Sequence, residues 1–179
     1  KLGIHSPLVA AVIITRIGQR SGKASEKWLS WPSNLYLCIN KADMVYLTRA
    51  EHFNAAHKLA NPNWSKEKNE EVFGACANEN WHGHNYEIFV TVKGVPNAET
   101  GFLFDVKKLS QLINKYVVDE LDHKNLNVDV PFMQGQMCST ENLVIAIWKQ
   151  LEPHIPAQVK LHCIKLYETP RIYVEYFGA

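Results

Sequence analysis

The chain has 179 residues, enough for one domain or one domain with an appendage, and its 46% apolar content supports a globular core. A net charge of +1 gives no electrostatic case for nucleic acid, and no stretch interleaves basic and aromatic residues as a single-strand binder would. No apolar run approaches the ~18 residues of a membrane-spanning helix. The four cysteines (Cys38, Cys76, Cys138, Cys163) show no paired spacing, which points to free thiols in a reducing, cytoplasmic setting rather than a disulfide framework.

Residues 1–43 are basic, with Lys1, Arg16, Arg20, Lys23, Lys27 and Lys41 against Glu26 and Asp43, whereas residues 44–179 are net acidic. The segment lacks the small-residue cleavage pattern of a secretory signal. Its basic, acid-poor composition leaves an organelle transit peptide as an open reading. The expectation is a poorly ordered extension over residues 1–43, dispensable in a product starting at Met44, and a folded domain over residues 44–179.

Val45–His57 reads as a long first strand. Residues 58–81 form a polar, Asn-rich loop, and a loop of that length in a compact domain is more often functional than idle. A second strand over residues 82–95 is rich in β-branched and aromatic side chains and ends at the turn signal Pro96-Asn97-Ala98-Glu99-Thr100-Gly101. Asp105 is placed to cap a helix reaching Leu121, whose Val106, Leu109, Ile113, Tyr116, Val117 and Leu121 fall on one stripe. Residues 122–138 read as loop. Ser139 or Thr140 caps a second helix with Leu143, Ile147 and Leu151 on one face, stopped by Pro153. Two strands follow over residues 159–167 and 172–177, split by Glu168-Thr169-Pro170-Arg171. The pattern predicts an α+β fold: an antiparallel four-stranded ββααββ sheet with two helices packed on one face. Its two long apolar edges would be removed by pairing with further copies in a barrel-forming ring oligomer.

Three histidines carry the chemistry. His82 and His84 are two apart at the start of a strand and therefore share a face. His57 ends the neighbouring strand and could supply a third imidazole. Three neutral imidazoles around a tetrahedral zinc leave one position open for catalysis. The bland alternative is three unrelated histidines, hydrogen-bonded in a core or exposed to water. A purely structural zinc would need a fourth ligand, and only Cys76 is at hand.

Five motifs then occur in one order: Phe73-Gly74-Ala75-Cys76, His82-Gly83-His84-Asn85-Tyr86, Leu121-Asp122-His123-Lys124-Asn125-Leu126, Ser139-Thr140-Glu141-Asn142 and Tyr167-Glu168-Thr169. Over about residues 45–179 this order closely resembles the 6-pyruvoyltetrahydropterin synthase family. The resemblance implies the tunnelling (T-fold) architecture, with barrel trimers stacked into a homohexamer. It also implies conversion of 7,8-dihydroneopterin triphosphate into 6-pyruvoyltetrahydropterin with loss of triphosphate, towards tetrahydrobiopterin. By position it implies His57, His82 and His84 as Zn2+ ligands, Cys76 as catalytic base, and Asp122 and His123 as the pair that completes a triad with it across a subunit boundary. Glu168 would anchor the pterin ring, with Glu141 and the backbone near Thr140 as further ring contacts.

Each assignment has a plainer counterpart. Cys76 could be an unreactive loop thiol, Asp122-His123 a helix-terminal cation beside a solvated carboxylate, and Glu141 a favourable charge in a first helical turn. Asp122 and His123, being adjacent, are not expected to bond each other directly. Trp81 stands where the family pattern has a small residue, usually Gly. Lys58 and Lys124 lie near the right motifs for the triphosphate, but lysines are usually solvated surface. The rival readings are 6-carboxytetrahydropterin synthase, a sister enzyme of the queuosine precursor pathway, and a non-catalytic zinc- or pterin-binding scaffold.

Overall fold

The computed structural model describes residues 43–179; the extension expected over residues 1–43 lies, apart from Asp43, outside the described residues. Strand β1 (Val45–His57) pairs antiparallel with β2 (His82–Gly94) along its whole length, from Val45↔Gly94 to His57↔His82. β2 pairs with β4 (Lys160–Thr169), and β4 with β5 (Ile172–Tyr176), both antiparallel. The sheet has five strands rather than four, in the order β3-β1-β2-β4-β5. The added edge strand, β3 (Lys124–Asn125), runs parallel to β1 beside Ala55 and Ala56, inside the segment expected to be loop. Two residues are too few to show alternation, so the sequence gives no strand signal there.

The long loop after β1 is also more ordered than its composition suggests. Helix α1 (Lys66–Phe73) is capped by Ser65, whose hydroxyl accepts the Lys68 N–H, and a 3-10 turn follows over Gly74–Ala77. α1 has no apolar stripe, so a search for helical periodicity misses it. Its anchor is polar. The buried Asn69 amide donates to the carbonyls of Asn61 (3.1 Å) and Ser65 (3.0 Å), and its oxygen accepts the Asn61 N–H at 2.7 Å. Asparagine supplies both a donor and an acceptor, so one side chain replaces the backbone partners that an irregular segment lacks.

Asp105 caps α2 (Val106–Ile113) through the Lys107 N–H at 2.8 Å. The helix continues through a π turn over Asn114–Val118 into α3 (Asp119–Leu121). Leu109, Ile113, Val117 and Leu121 are all fully buried, although each step of four residues overshoots an ideal α-helical turn by about 40°. The slower rotation of the π turn takes up that drift and keeps all four on the sheet side. Val106, expected on the same stripe, is 46% exposed, because it precedes the first full turn. Ser139 caps α4 (Thr140–Leu151), which buries Leu143, Ile147 and Leu151 as its spacing predicts. Both helices cover one sheet face, where Phe53, Tyr86, Ile88, Val90, Ile164 and Leu166 meet them. No helix among the described residues is long and apolar enough to cross a membrane.

Asn69→Ala removes the four part-buried hydrogen bonds of this side chain and leaves the Asn61 N–H unpaired. A loss of about 2 kcal/mol in urea unfolding is expected, with the 3-10 turn that carries Cys76 becoming the fastest-exchanging part of the domain.

Candidate metal centre

The antiparallel register of β1 and β2 sets the ends of both strands against each other, so His57 stands opposite His82. His84 is two residues further along β2 and points to the same face. The rings are packed together, with centroids 4.6 Å apart for His57–His82, 5.1 Å for His57–His84 and 4.9 Å for His82–His84. One ring nitrogen from each lies within 4.8 Å of the others. His57 is buried, 2% exposed, and its Nδ1 is 2.7 Å from the Cys138 carbonyl oxygen. A carbonyl only accepts, so Nδ1 carries the proton and Nε2 presents a lone pair to its neighbours.

Among the described residues, the buried nitrogens His57 Nε2, His82 Nδ1 and His84 Nε2 have no hydrogen-bond partner. Burial lowers the pKa of all three histidines and outweighs the opposing pull of Glu168. Neutral imidazoles with orphaned, converging lone pairs are what a divalent ion requires. The donor set therefore fits a metal, and the reading of three unrelated histidines fails on geometry.

Glu168 closes one side. Its Oε1 is 3.5 Å from His57 Nε2 and 3.7 Å from His84 Nε2, and it accepts a hydrogen bond from the Thr140 hydroxyl at 2.8 Å. A carboxylate thus stands beside the three imidazoles, where the sequence offered only Cys76 as a further ligand. Nothing in the spacing reveals this, because β4 returns beside β2 from the far end of the chain. Glu168 and His84 also line a cavity of about 700 Å³ with Asn85, Phe89 and Tyr167. A second cavity of about 430 Å³ shares His84 and Asn85 and reaches His123 and Lys124.

Cys76 lies half-buried in the 3-10 turn, and its carbonyl accepts the Leu59 N–H at 2.8 Å, tying the turn to the segment that leaves His57. Asp122 and His123 are elsewhere. Contrary to the expectation, they do bond each other: His123 Nδ1 is 2.8 Å from Asp122 Oδ2. The reason is local backbone. His123 adopts φ 58°, and this left-handed turn folds its ring back over the preceding side chain. Both residues are clamped on Asn54 of β1, whose N–H donates to Asp122 Oδ1 (2.8 Å) and whose carbonyl accepts the His123 N–H (2.7 Å). The Asn54 N–H, then His123, hold the Asp122 carboxyl below its usual range. The His123 side chain is 79% exposed, and no hydrogen bond or ion pair among the described residues links this pair to Cys76.

Thr140 is buried against Glu168, whereas Glu141 is exposed in the first turn of α4. Lys58 lies over the Trp81 ring at 4.8 Å, and Lys124 pairs with Glu120 at 3.6 Å. Trp81 itself has φ 59°, a left-handed conformation that favours glycine. Tyr86 continues the same-face alternation of His82 and His84 into the core. Burial first, then Glu168, Cys138 and Cys76, push its phenol well above the ordinary range.

The sequence model of the family described as 6-pyruvoyl tetrahydropterin synthase matches residues 46–179. A Drosophila melanogaster 6-pyruvoyl tetrahydrobiopterin synthase is 36% identical over 140 residues, covering 78% of this chain and 83% of that protein. The Homo sapiens protein of the same name is 38% identical over 132 residues, covering 74% and 90%. The solved structure of Caenorhabditis elegans 6-pyruvoyl tetrahydropterin synthase superposes with a TM-score of 0.72 at 33% identity, covering 76% of this chain and 97% of that one. The chain belongs to the 6-pyruvoyl tetrahydropterin synthase family, and its sheet and helices are the T-fold of that family.

Two measurements check the site. Equilibrium dialysis should find one divalent ion per chain in the wild type and none retained by His82→Ala. Because burial holds the imidazoles below the ordinary value of about 6.5, protons compete with the ion only at more acidic pH. Metal occupancy should stay flat from pH 8 to about 6.5 and fall below it. The same sign governs the metal-free fold: the unfolded chain takes up protons first, so stability declines as pH drops through about 6.5 and levels off below the folded values. Separately, Trp81→Gly should be more stable than Trp81→Ala by about 1 kcal/mol in thermal unfolding, since only glycine is free of the left-handed penalty.

Proposed function

We propose that this chain is a zinc-dependent 6-pyruvoyltetrahydropterin synthase. It would convert 7,8-dihydroneopterin triphosphate into 6-pyruvoyltetrahydropterin with elimination of inorganic triphosphate, a lyase step in tetrahydrobiopterin biosynthesis. One observation carries the reading: three neutral, orphaned imidazoles converge beside a carboxylate, in a member of this family.

His57, His82 and His84 would hold the Zn2+, with the Cys138 carbonyl fixing the His57 tautomer. Bound there, zinc supplies Lewis acidity that polarises the hydroxyls of the substrate side chain. Cys76 acts as the base that takes the carbon-bound proton beside those hydroxyls. Glu168 recognises the pterin ring, which offers two adjacent N–H donors to its two carboxylate oxygens. The Thr140 hydroxyl holds one of those oxygens in place, and Glu141 adds a further contact at the same helix start.

Asp122 orients the His123 imidazole through the 2.8 Å bond, the arrangement expected of a proton shuttle. Its exposed position and its lack of any bond to Cys76 support a triad completed between subunits. The N-terminal part of β1 and the outer side of β5 present edges with Tyr46, Ile172 and Tyr173 exposed beside them. Those edges suit strand pairing with copies of the chain, and a homohexamer of two barrel trimers is the proposed assembly. Free thiols at Cys76, Cys138 and Cys163 favour the cytoplasm.

Zinc-loaded protein incubated with dihydroneopterin triphosphate should release triphosphate and the 6-pyruvoyl product. Cys76→Ala should keep its metal and lose at least about a hundredfold in kcat; His82→Ala should lose both metal and turnover. A carboxylated pterin with acetaldehyde release would make the chain the sister enzyme, and zinc binding without triphosphate release would make it a scaffold.

A further inference from the structure

A cavity of about 810 Å³ lies away from the histidines, at the other end of the sheet. It adjoins Gly94, the last residue of β2, where two of its lining residues close in on the strand. A Cβ at Gly94 would come 2.8 Å from Leu103 Cδ1 and 3.3 Å from the Gln158 carbonyl oxygen. His82 stands at the opposite end of this 13-residue strand, on the order of 40 Å away. The walls are held without any ligand. On one side, the Asn97 side-chain oxygen accepts the Glu99 and Thr100 N–H groups at 2.9 and 3.0 Å. The Asn97 N–H donates to the Phe102 carbonyl at 2.9 Å, which closes the turn. On the other, Tyr116 of the π turn stacks on His154, with centroids 3.6 Å apart and planes 3° from parallel. That stack ties the continuation of α2 to the 3-10 turn over Glu152–His154.

The lining combines rings with cations. Phe102, Phe104 and Tyr116 supply apolar surface, and Lys108 and Lys115 recur at helical spacing along one side of α2 and its π continuation. Lys115 Nζ is 4.9 Å from the Tyr116 ring centroid, so a cation and a ring face already adjoin. Neither lysine forms an ion pair among the described residues. Asp105 is the one carboxylate in the lining, and its Oδ1 is engaged at 2.8 Å by the Lys107 N–H as the cap of α2. Phe102 is 70% exposed, more than any other large apolar side chain among the described residues. Folding gains nothing from a phenyl ring left in water. Beside two unpaired ammonium groups, such a ring suits a ligand that carries both an aromatic face and negative charge.

We propose that this cavity is a second binding site, separate from the metal centre, for a small planar aromatic anion: a ring bearing a carboxylate or a phosphate ester. The ring packs against Phe102 and Phe104, and the anionic group takes Lys108 and Lys115. The volume is that of an ordinary small-molecule site, with apolar walls and a few polar groups to set orientation. The site uses neither the metal nor the pterin chemistry, so it stands or falls apart from them. Its plainer counterpart is a pair of solvated lysines beside a scattered phenylalanine. That counterpart leaves unexplained why the rings and the cations line one cavity whose walls are fixed on both sides.

Equilibrium dialysis of the full chain tests this with four probes: 2-naphthoate, 2-naphthyl phosphate, the neutral methyl 2-naphthoate and the non-aromatic cyclohexanecarboxylate. One aromatic acid per chain should bind saturably, and the tighter of the two identifies the head group. The ester and cyclohexanecarboxylate should each bind at least about tenfold more weakly. Lys108→Gln and Lys115→Gln, both at exposed positions, should each lower affinity about three- to tenfold, and Phe102→Ala by a similar factor. His82→Ala should bind the acid as the wild type does. Absence of saturable binding overturns the proposal. So does equal affinity for the ester, which leaves only an apolar groove, or for cyclohexanecarboxylate, which leaves only a basic patch. Unchanged affinity in the lysine and Phe102 variants, or its loss in His82→Ala, would put the probe elsewhere. Affinity that falls as protein concentration rises would give the cavity to a second copy of the chain instead.

Discussion

One constraint underlies the site: the pairing of β1 with β2 in a single register. Side chains alternate along a strand, so a slip of one residue would turn His57 or the His82 and His84 pair to the opposite face of the sheet. The register is held by the same residues that build the core. Phe53 stacks on Tyr86 across the pair, and Ile88, Val90 and Val92 carry the buried face of β2 beneath α2 and α4. Hydrophobic burial thus acts as the positioning device for a polar cluster. The imidazoles meet because the apolar alternation leaves them no other arrangement.

That placement has an energetic cost. Three buried nitrogens and one hydroxyl without partners each cost about 1–3 kcal/mol relative to a paired group. A fold that was only a scaffold would fill these positions with apolar side chains or supply partners for them. It does supply one, the Cys138 carbonyl for His57 Nδ1, on the side of the ring away from the cluster. The three unsatisfied imidazole nitrogens converge on the same point. Strain concentrated in this way, within a core that is otherwise well packed, is what a binding site looks like before its ligand offsets the cost.

Much of this was legible in the sequence because it depends on short periods. The two long strands, the Asp105 and Ser139 caps, and the Leu143, Ile147, Leu151 face all follow from alternation or helical spacing. The His-Gly-His pair is also a local pattern. What escaped detection depends on tertiary contact. β3 exists only because Asn125 finds β1, and α1 is held by Asn69 rather than by an apolar stripe. Glu168 joins the histidines through sheet order, which no spacing encodes. The Asp122–His123 bond depends on a left-handed φ at His123, so adjacency alone argued the wrong way. Trp81 stands in the same backbone region, so this turn takes its left-handed shape without a glycine.

β1 also joins two halves that are otherwise separate. At Asn54 its backbone grips Asp122 and His123 from outside the sheet, and at His57 its side chain enters the cluster inside. Because a paired strand is stiff along its length, the distance between the exposed imidazole and the buried ones is set by the strand itself rather than by a loop. In the proposed assembly, a shuttle completed by a neighbouring subunit would rely on that fixed geometry. The clamp makes Asp122 and His123 a rigid presentation on the surface, pre-oriented by two hydrogen bonds to the Asn54 backbone and one between their side chains. An interface formed against such a feature orders little that is not already ordered, so the entropy of assembly falls mainly on the edges that pair.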